Sequence, residues 1–430
     1  MKTTETPTPA RRRSPIFWVP TAYFGMGLPF VVLNMVAVLM YKGLGVSDAK
    51  IAFWTSLIML PWTLKPLWSP LLEMYRTKKF FVVLTQMVSG VTFGLIALSL
   101  HLPSFFAITI ALFAIVAFSG ATHDVACDGV YMDELNAQEQ AKYIGWQGAF
   151  YNVAKIIGTG LLVYLAGFLK DEYEGPAEDA VLYSWTVIMI VLGGVMFALG
   201  LYHTRMLPSG KHAHSVTSFS QSMAELWNVI RNFFTKKHIV YYICFIILYR
   251  FAEGFVMKIV PLFLKAGRDV GGLGLTEQEI GIYYGTFGAA AFVLGSLLGG
   301  YYISARGLKK TLFSLCCVFN LPFMAYTLLA IFQPQSAPLI GGAIVLEYFG
   351  YGFGGLTLFM MQQVAAGPHQ MAHYAFASGI MNLGVMLPGM MSGYVSDWLG
   401  YKLFFIFVLV AAIPAFLMTW FVPFTHEDKK

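Results

Sequence analysis

Apolar runs of about 20 residues recur twelve times along this 430-residue chain, each long enough at about 1.5 Å per residue to cross about 30 Å of hydrocarbon. They lie at about 17–40, 51–75, 80–100, 105–131, 143–169 and 181–202, and, after a polar interval, at about 239–264, 279–303, 312–332, 339–364, 374–395 and 403–423. Hydrocarbon offers no water to backbone N–H and C=O groups, so such runs must be helices or the strands of a closed barrel. A barrel strand needs only about 10 residues, so the runs are too long for strands. The chain reads as an all-α membrane protein with two groups of six helices. Its 57% hydrophobic and 12% charged residues, with a mean hydropathy of +0.66, exclude a soluble domain.

Lys and Arg orient the bundle, because short cytoplasmic loops collect positive charge. One set of helix ends carries Arg11, Arg12, Arg13, Arg76, Lys78, Lys79, Arg205, Lys211, Arg231, Lys236, Lys237, Arg306, Lys309, Lys310, Lys429 and Lys430, whereas an alternate loop holds Asp171, Glu172, Glu174, Glu178 and Asp179. Both termini are therefore expected in the cytoplasm. The net charge of +6 follows from this topology and gives no reason to expect nucleic-acid binding. The boundaries divide the chain into an N-terminal tail (1–15), a six-helix bundle (16–202), a cytoplasmic linker (203–237), a second bundle (238–424) and a C-terminal tail (425–430). In the linker, Met223, Leu226, Trp227, Ile230 and Phe234 recur at helical spacing, which predicts an amphipathic helix on the membrane surface.

Several chemistries find no support. Cys127, Cys244, Cys316 and Cys317 fall inside apolar runs without CxxC spacing, so neither a disulfide framework nor a metal site is expected. His212 and His214 read as polar filler in a loop. No GxxxxGK[ST] loop is present, which argues against an ATP-driven pump. No cofactor is expected beyond a proton gradient.

Two six-helix halves joined by a cytoplasmic linker resemble the major facilitator superfamily, whose halves rock about a site near the membrane midplane. The 69–79 loop resembles that superfamily's charged cytoplasmic motif, with Glu73 and Arg76 as a gate pair; the 299–310 loop keeps glycines and bases without the acid. More closely, the chain resembles the AmpG-type muropeptide permeases, which stand beside acetyl-coenzyme A transporter relatives. The resemblance rests on residues 23–29 (YFGMGLP), 60–72 (LPWTLKPLWSPLL), 121–135 (ATHDVACDGVYMDEL), 248–253 (LYRFAE), 274–281 (GLTEQEIG), 347–352 (EYFGYG) and 393–401 (GYVSDWLGY). The chain departs from the pattern at His123, where Gln is usual, after Tyr131, where Arg is usual, and at Arg250 and Glu253, where Lys and Asp are common. The resemblance implies a proton-coupled symporter importing GlcNAc-anhydro-MurNAc, with or without peptide, across the inner membrane for peptidoglycan recycling. It implies no enzyme activity, a saccharide cargo, the bilayer as surroundings and a monomer. The alternatives are another organic anion, such as a nucleotide thioester or siderophore, or a polytopic acyltransferase using His123 and Asp124 as an acid–base pair.

Charges inside apolar runs mark candidate sites, since an ionisable group in lipid is costly and functional by default. His123, Asp124, Asp128, Glu253 and Glu347 are the proton-coupling candidates. Lys155, Arg250, Asn34, Asn152, Asn382 and Tyr131 are the substrate-binding candidates, and Lys65, Glu73 and Arg76 the cytoplasmic gate. Lys155, near the middle of its run, reads either as a ligand cation or as the partner of Asp124 or Asp128. Arg250 and Glu253, at i and i+3, read as a static pair or as a switch in which protonation frees the guanidinium. Glu347 reads as a protonated donor or as partner to Arg250 or Lys258. Asp124, Asp128 and Tyr131 share a helical stripe about 28 Å along their helix, so their depth fits a gate as well as a relay, and His123 points away. Lys65, among Pro61, Pro66 and Pro70, sits on a helix that must bend, and Trp62 and Trp68 read as interfacial anchors.

Overall fold

The computed structural model describes residues 13–69, 72, 76–209, 219–355 and 370–422. Among these, twelve helical stretches build the bundle: α1 (Pro15–Gly43), α2 (48–67), α3 (Lys78–Ser99), α4 (Phe105–Glu134), α5 (137–171), α6 (Ala180–Met206), α7 (239–265), α8 (277–306), α9 (308–332), α10 (Ala337–Phe353), α11 (370–399) and α12 (401–420). Helices α11 and α12 meet at Gly400, whose φ of 70° ends one helix and starts the next. The linker helix, Phe219–Phe234, joins the halves. Helix α6 runs to Met206, so the polar interval opens four residues later than expected and His203 is a buried helical residue.

We call the side on which α1 begins the near side and the opposite one the far side. Most outward positions are large and apolar, for example Leu98, Phe118, Leu161, Leu201, Leu298 and Val410, as helices facing lipid require.

Several of the described helices are interrupted, among them α2, α7 and α1. In α2, Asp48–Leu57 gives way to Leu60–Leu64 and a 3-10 turn, Lys65–Leu67; Pro61 and Pro66 have no N–H to continue the ladder. In α7, Arg250 leaves helical geometry (φ −100°, ψ 4°) and divides Ile239–Tyr249 from Phe251–Lys265. Arg250 and Glu253 therefore do not share the continuous helix expected: Glu253 lies in the first turn of a new helix, where a carboxylate suits the positive end of the dipole. Helix α1 carries a π-helical segment, Val32–Val36, around Asn34.

The halves meet on the far side; toward the near side α5 and α8 part, while α11 stays against α2 as far as Thr63 and Gly379. Contacts between α5 and α8 concentrate in their far portions, where a Cβ on Gly285 would overlap the Thr159 carbonyl oxygen. On the near part of α5, a Cβ on Gly145 or Gly148 would meet nothing within 4 Å. Helix α11 lies on α2 in the same manner: a Cβ on Gly393 would fall 2.5 Å from Ala49 Cα and one on Gly389 2.6 Å from Ser56 Oγ. Small residues allow this approach between backbones.

Charges fasten the far side. Glu277, at the start of α8, is buried and accepts from Lys170 Nζ of α5 at 2.8 Å and from Lys265 Nζ of α7. Gln278 donates to Asp171 Oδ2 at 2.6 Å. Asp48 accepts from Lys42 at 2.6 Å and from the Tyr401 hydroxyl at 2.5 Å. The far side thus holds more lysines than the loop composition implies, but Lys42, Lys170 and Lys265 are all paired with acids.

The linker helix is amphipathic as expected, with Trp227 and Phe234 exposed. Phe233 anchors it instead, fully buried against His373 and Phe376 of α11.

Candidate functional site

A cavity of about 270 Å³ lies between the halves. From the N-terminal half it is lined by Phe30 and Asn34 of α1, Ser56, Met59, Trp62 and Thr63 of α2, and Lys155 and Thr159 of α5; from the C-terminal half by Arg250, Glu253 and Lys258 of α7, Tyr284 of α8, Tyr326 of α9, Glu347, Tyr348 and Tyr351 of α10, and Asn382 of α11. The sequence candidates Lys155, Arg250, Glu253, Glu347, Asn34 and Asn382 all meet here.

Lys155 reaches across the gap. Its Nζ stands 4.1 Å from the ring centroid of Phe292 and 5.8 Å from that of Tyr351, both in the other half. Among the described residues no carboxylate lies within ion-pair distance of it. The pairing with Asp124 or Asp128 is thus overturned: those acids belong to α4 and are held by α1 and α2. A desolvated ammonium over aromatic faces is stabilised by about 2 kcal/mol, far less than a counter-ion would give.

Arg250 and Glu253 form a bidentate pair, Nε to Oε2 at 2.5 Å and Nη2 to Oε1, and Nη2 also donates to the Tyr351 hydroxyl at 3.3 Å. Glu347 pairs with neither Arg250 nor Lys258; its Oε2 accepts from the Tyr326 hydroxyl at 2.9 Å. Tyr284 and Tyr348 pack edge-on beside it, with ring centroids 4.9 Å apart. Ser56 Oγ and Thr63 Oγ1 are buried in the cavity wall and find no hydrogen-bond partner among the described residues. Orphaned buried hydroxyls cost about 1–3 kcal/mol each, a cost that a polar ligand removes.

Asn34 and Asn382 line the cavity; Asn34 Nδ2 also donates to the Phe30 carbonyl at 3.0 Å. Asn152 does not line it, because its amide turns back to the Gly148 carbonyl at 2.8 Å. Tyr131 does not either: its hydroxyl donates to Gln140 O at 2.6 Å and its ring packs edge-on against Tyr23.

The α4 acids form a separate network on the near side of the cavity. Asp128 accepts from the Tyr23 hydroxyl at 2.7 Å, which accepts in turn from Gln147 at 2.8 Å. Asp124 accepts from Trp62 Nε1 at 2.9 Å and stands 3.7 Å from Lys65. Trp62 is therefore buried and is not an interfacial anchor, while Trp68 is partly exposed and bonds to Thr122 at 3.2 Å. Lys65 pairs with Asp124 and ties α2 to α4. His123 points away, with its Nε2 3.0 Å from Gln86 Nε2, while Gln86 Oε1 lies 2.8 Å from His203 Nδ1. Glu73 lies outside the described residues; Arg76 stacks on Phe80 at 5.7 Å, and the nearest near-side ion pair is Lys78 with Asp133 at 2.9 Å.

Sequence reasoning passed over Lys258 as a site residue, along with the tyrosines. Lys258 is 3% exposed, a buried lysine on an otherwise apolar helix segment, and that signal was readable from its position.

The sequence model of the Major Facilitator Superfamily matches residues 21–373. The chain belongs to this superfamily. Its relatives include an anhydromuropeptide permease of Escherichia coli (strain K12), 23% identical over 381 residues covering 86% of this chain and 72% of that protein. A putative transporter AmpG 4 of Rickettsia conorii is 21% identical over 92% of this chain and 93% of its own. An uncharacterized protein of Haemophilus influenzae is 25% identical over 95% and 94%. Among solved structures, a D-xylose-proton symporter superposes with a TM-score of 0.73 at 10% identity, covering 95% of this chain and 98% of its own. A point mutant of the nucleoside transporter NupG gives 0.72 at 13% identity, over 94% and 99%. The fold is thus that of superfamily transporters, and the chain is a multi-pass membrane transporter of small molecules. The acyltransferase alternative is set aside on this ground.

Proposed function

We propose that this transporter imports peptidoglycan-derived GlcNAc-anhydro-MurNAc, with or without its peptide, across the inner membrane by proton-coupled alternating access, acting as a monomer with both termini in the cytoplasm. The observation that carries the reading is the makeup of the central cavity. Lys155 has no acid partner among the described residues, which suits the lactyl or peptide carboxylate of such a cargo. Phe30, Trp62 and the tyrosines offer ring faces to two pyranoses, and Ser56, Thr63, Asn34 and Asn382 offer partners to their hydroxyls. The relative named for anhydromuropeptides supports the same cargo. The basic near-side ends support the orientation, on which the gap between α5 and α8 faces inward.

Coupling falls to Glu253 and Glu347, the two carboxylates on the cavity wall among the described residues. Protonation of Glu253 cancels the pair with Arg250 and frees the guanidinium for the anionic cargo; deprotonation restores the pair and expels it.

The test is uptake of labelled anhydro-disaccharide into proteoliposomes under an imposed pH gradient, with and without protonophore. The parent accumulates label only with the gradient, Glu253→Gln exchanges label without accumulating it, and Lys155→Met loses uptake of the acid form. No uptake by correctly folded parent refutes the cargo, and accumulation indifferent to the gradient refutes coupling.

A further inference from the structure

Lys258 is the second cavity cation without a carboxylate within ion-pair distance among the described residues, and it is held differently from Lys155. Its Nζ donates to Asn34 Oδ1 of α1 at 3.2 Å and to the main-chain carbonyl of Thr55 in α2 at 3.3 Å. Both acceptors lie in the N-terminal half, while Lys258 sits on α7 in the other half. The bonds therefore span the seam that closes the far side.

The Thr55 carbonyl is available because α2 breaks beside it. Pro61 has no N–H to give the Leu57 carbonyl, and the Met59 N–H bonds back to Ser56 O at 3.1 Å in a tighter turn. Thr55 O thus lacks its usual donor four residues on. The end of the first α2 segment carries the negative pole of its dipole, and a broken helix end that presents carbonyls inside a transporter is a natural seat for a cation. The Lys258 ammonium occupies that seat.

We propose that Lys258 is a state-dependent anion-binding residue: it is seated on the N-terminal half while the far side is closed, and released into the cavity when the halves part there. Rocking the halves open on the far side draws α1 and α2 away from α7 and takes both neutral acceptors with them. The ammonium is then left facing the cavity and needs a new partner. An anionic cargo supplies one, so the cavity binds anions with Lys155 and Lys258 together when open to the far side, and with Lys155 alone when open to the near side. Affinity is high where cargo is taken up and lower where it is released. The tether rests on the geometry above; its use for cargo rests on the anionic substrate proposed here.

Two arms separate these parts. In the first, spin labels are placed at Leu102 and Gln335, exposed far-side loop positions on opposite halves. The full-length protein, with Cys244 and Cys317 replaced by Ser, is reconstituted in nanodiscs, and the inter-label distance distribution is measured without ligand. Lys258→Met, which keeps the stem and removes the ammonium, should raise the long-distance population at least fivefold. Asn34→Asp, which gives the ammonium a true counter-ion, should lower it. If Lys258→Met leaves the distribution unmoved, or both variants shift it the same way, the tether is refuted. In the second arm, Lys258→Met should raise KM for uptake of the anhydro-disaccharide about tenfold more than it changes that of the methyl ester, since the conformational shift is common to both and the lost charge is felt by the acid alone. Equal effects on acid and ester refute the anion role. Absence of uptake of either compound by the parent refutes the cargo reading instead, and the first arm still decides the tether.

Discussion

Glu277 is the residue at which the far-side seal is most open to measurement, because its two lysines do different jobs. Lys265 and Glu277 both belong to the C-terminal half, so their ion pair persists whichever way the halves rock and cancels from the conformational equilibrium. Lys170 belongs to α5 in the N-terminal half, and its 2.8 Å bond to Glu277 breaks when the far side opens. The carboxylate is 2% exposed and the Lys170 side chain 27%, so the pair is neither a free surface bridge of up to about 1 kcal/mol nor a fully buried one, whose disruption costs about 3–5 kcal/mol. A cross-half contribution of about 1–2 kcal/mol follows, which is roughly a 5- to 30-fold change in the open-to-closed ratio. Glu277→Gln and Lys170→Met should therefore both populate far-side-open distances between labels at Leu102 and Gln335. Lys265→Met should not, because it leaves Glu277 with Lys170 as its single cation and strengthens the bond that crosses the seam. It should instead lower thermal stability, since it removes an interaction made in both states. A shift toward the open state in Lys265→Met as large as in Lys170→Met, or no shift in Glu277→Gln, refutes this assignment of roles.

The remaining expectations are as direct. Gly285→Ala drives a methyl group into the Thr159 carbonyl oxygen and should wedge the far side apart, abolishing accumulation and lengthening the same distances; Gly145→Ala, whose Cβ meets nothing within 4 Å, should change neither. Lys155→Met should weaken binding of an anionic cargo by roughly 10- to 150-fold, the loss of one charge-assisted bond of about 1.5–3 kcal/mol, read by calorimetry on the purified protein. Asp124→Asn should keep the Trp62 bond, lose the Lys65 pair and cost about 1 kcal/mol of stability in a thermal shift, with KM for uptake unchanged because its side chain does not line the cavity.

The fold was legible in the sequence because a membrane helix announces itself by length and hydropathy within its own twenty residues. The depth of Lys155, Arg250, Glu253 and Glu347 was legible for the same reason: counting along a helix gives height. Pairing was not, because it depends on which faces of distant helices meet. Of the two readings of Lys155, the pairing with an acid of its own half fails and it reaches aromatic rings of the other half; of the two readings of Glu347, the pairing with a base fails and it takes a tyrosine hydroxyl. Trp62 shows the limit most clearly. A tryptophan near a helix end is usually an interfacial anchor, but the broken α2 turns this one inward, where Asp124 accepts its N–H and its ring becomes part of the cavity wall.

The stretch from Ala121 to Leu135 carries the strongest resemblance to muropeptide permeases, yet its acids do not line the cavity. Asp124 and Asp128 bind Trp62, Lys65 and Tyr23, and so fasten α4 to α1 and α2. Each of these bonds lies within the N-terminal half, which moves as one piece when the halves rock, so none needs to break during transport. The two lysines on the cavity wall obey the opposite logic, whereas Arg250–Glu253 and Glu347–Tyr326 each lie within the C-terminal half. Lys155 and Lys258 each reach from one half to groups on the other, and any rocking of the halves must change their surroundings. Rocking alone does not part a charge from a partner in its own half, so Arg250 and Glu253 separate only when a proton or an anionic cargo competes for one of them. The resemblance thus covers both kinds of place: the 121–135 stretch fastens α4, while 60–72, 248–253 and 347–352 bring Trp62, Arg250, Glu253 and Glu347 to the cavity wall.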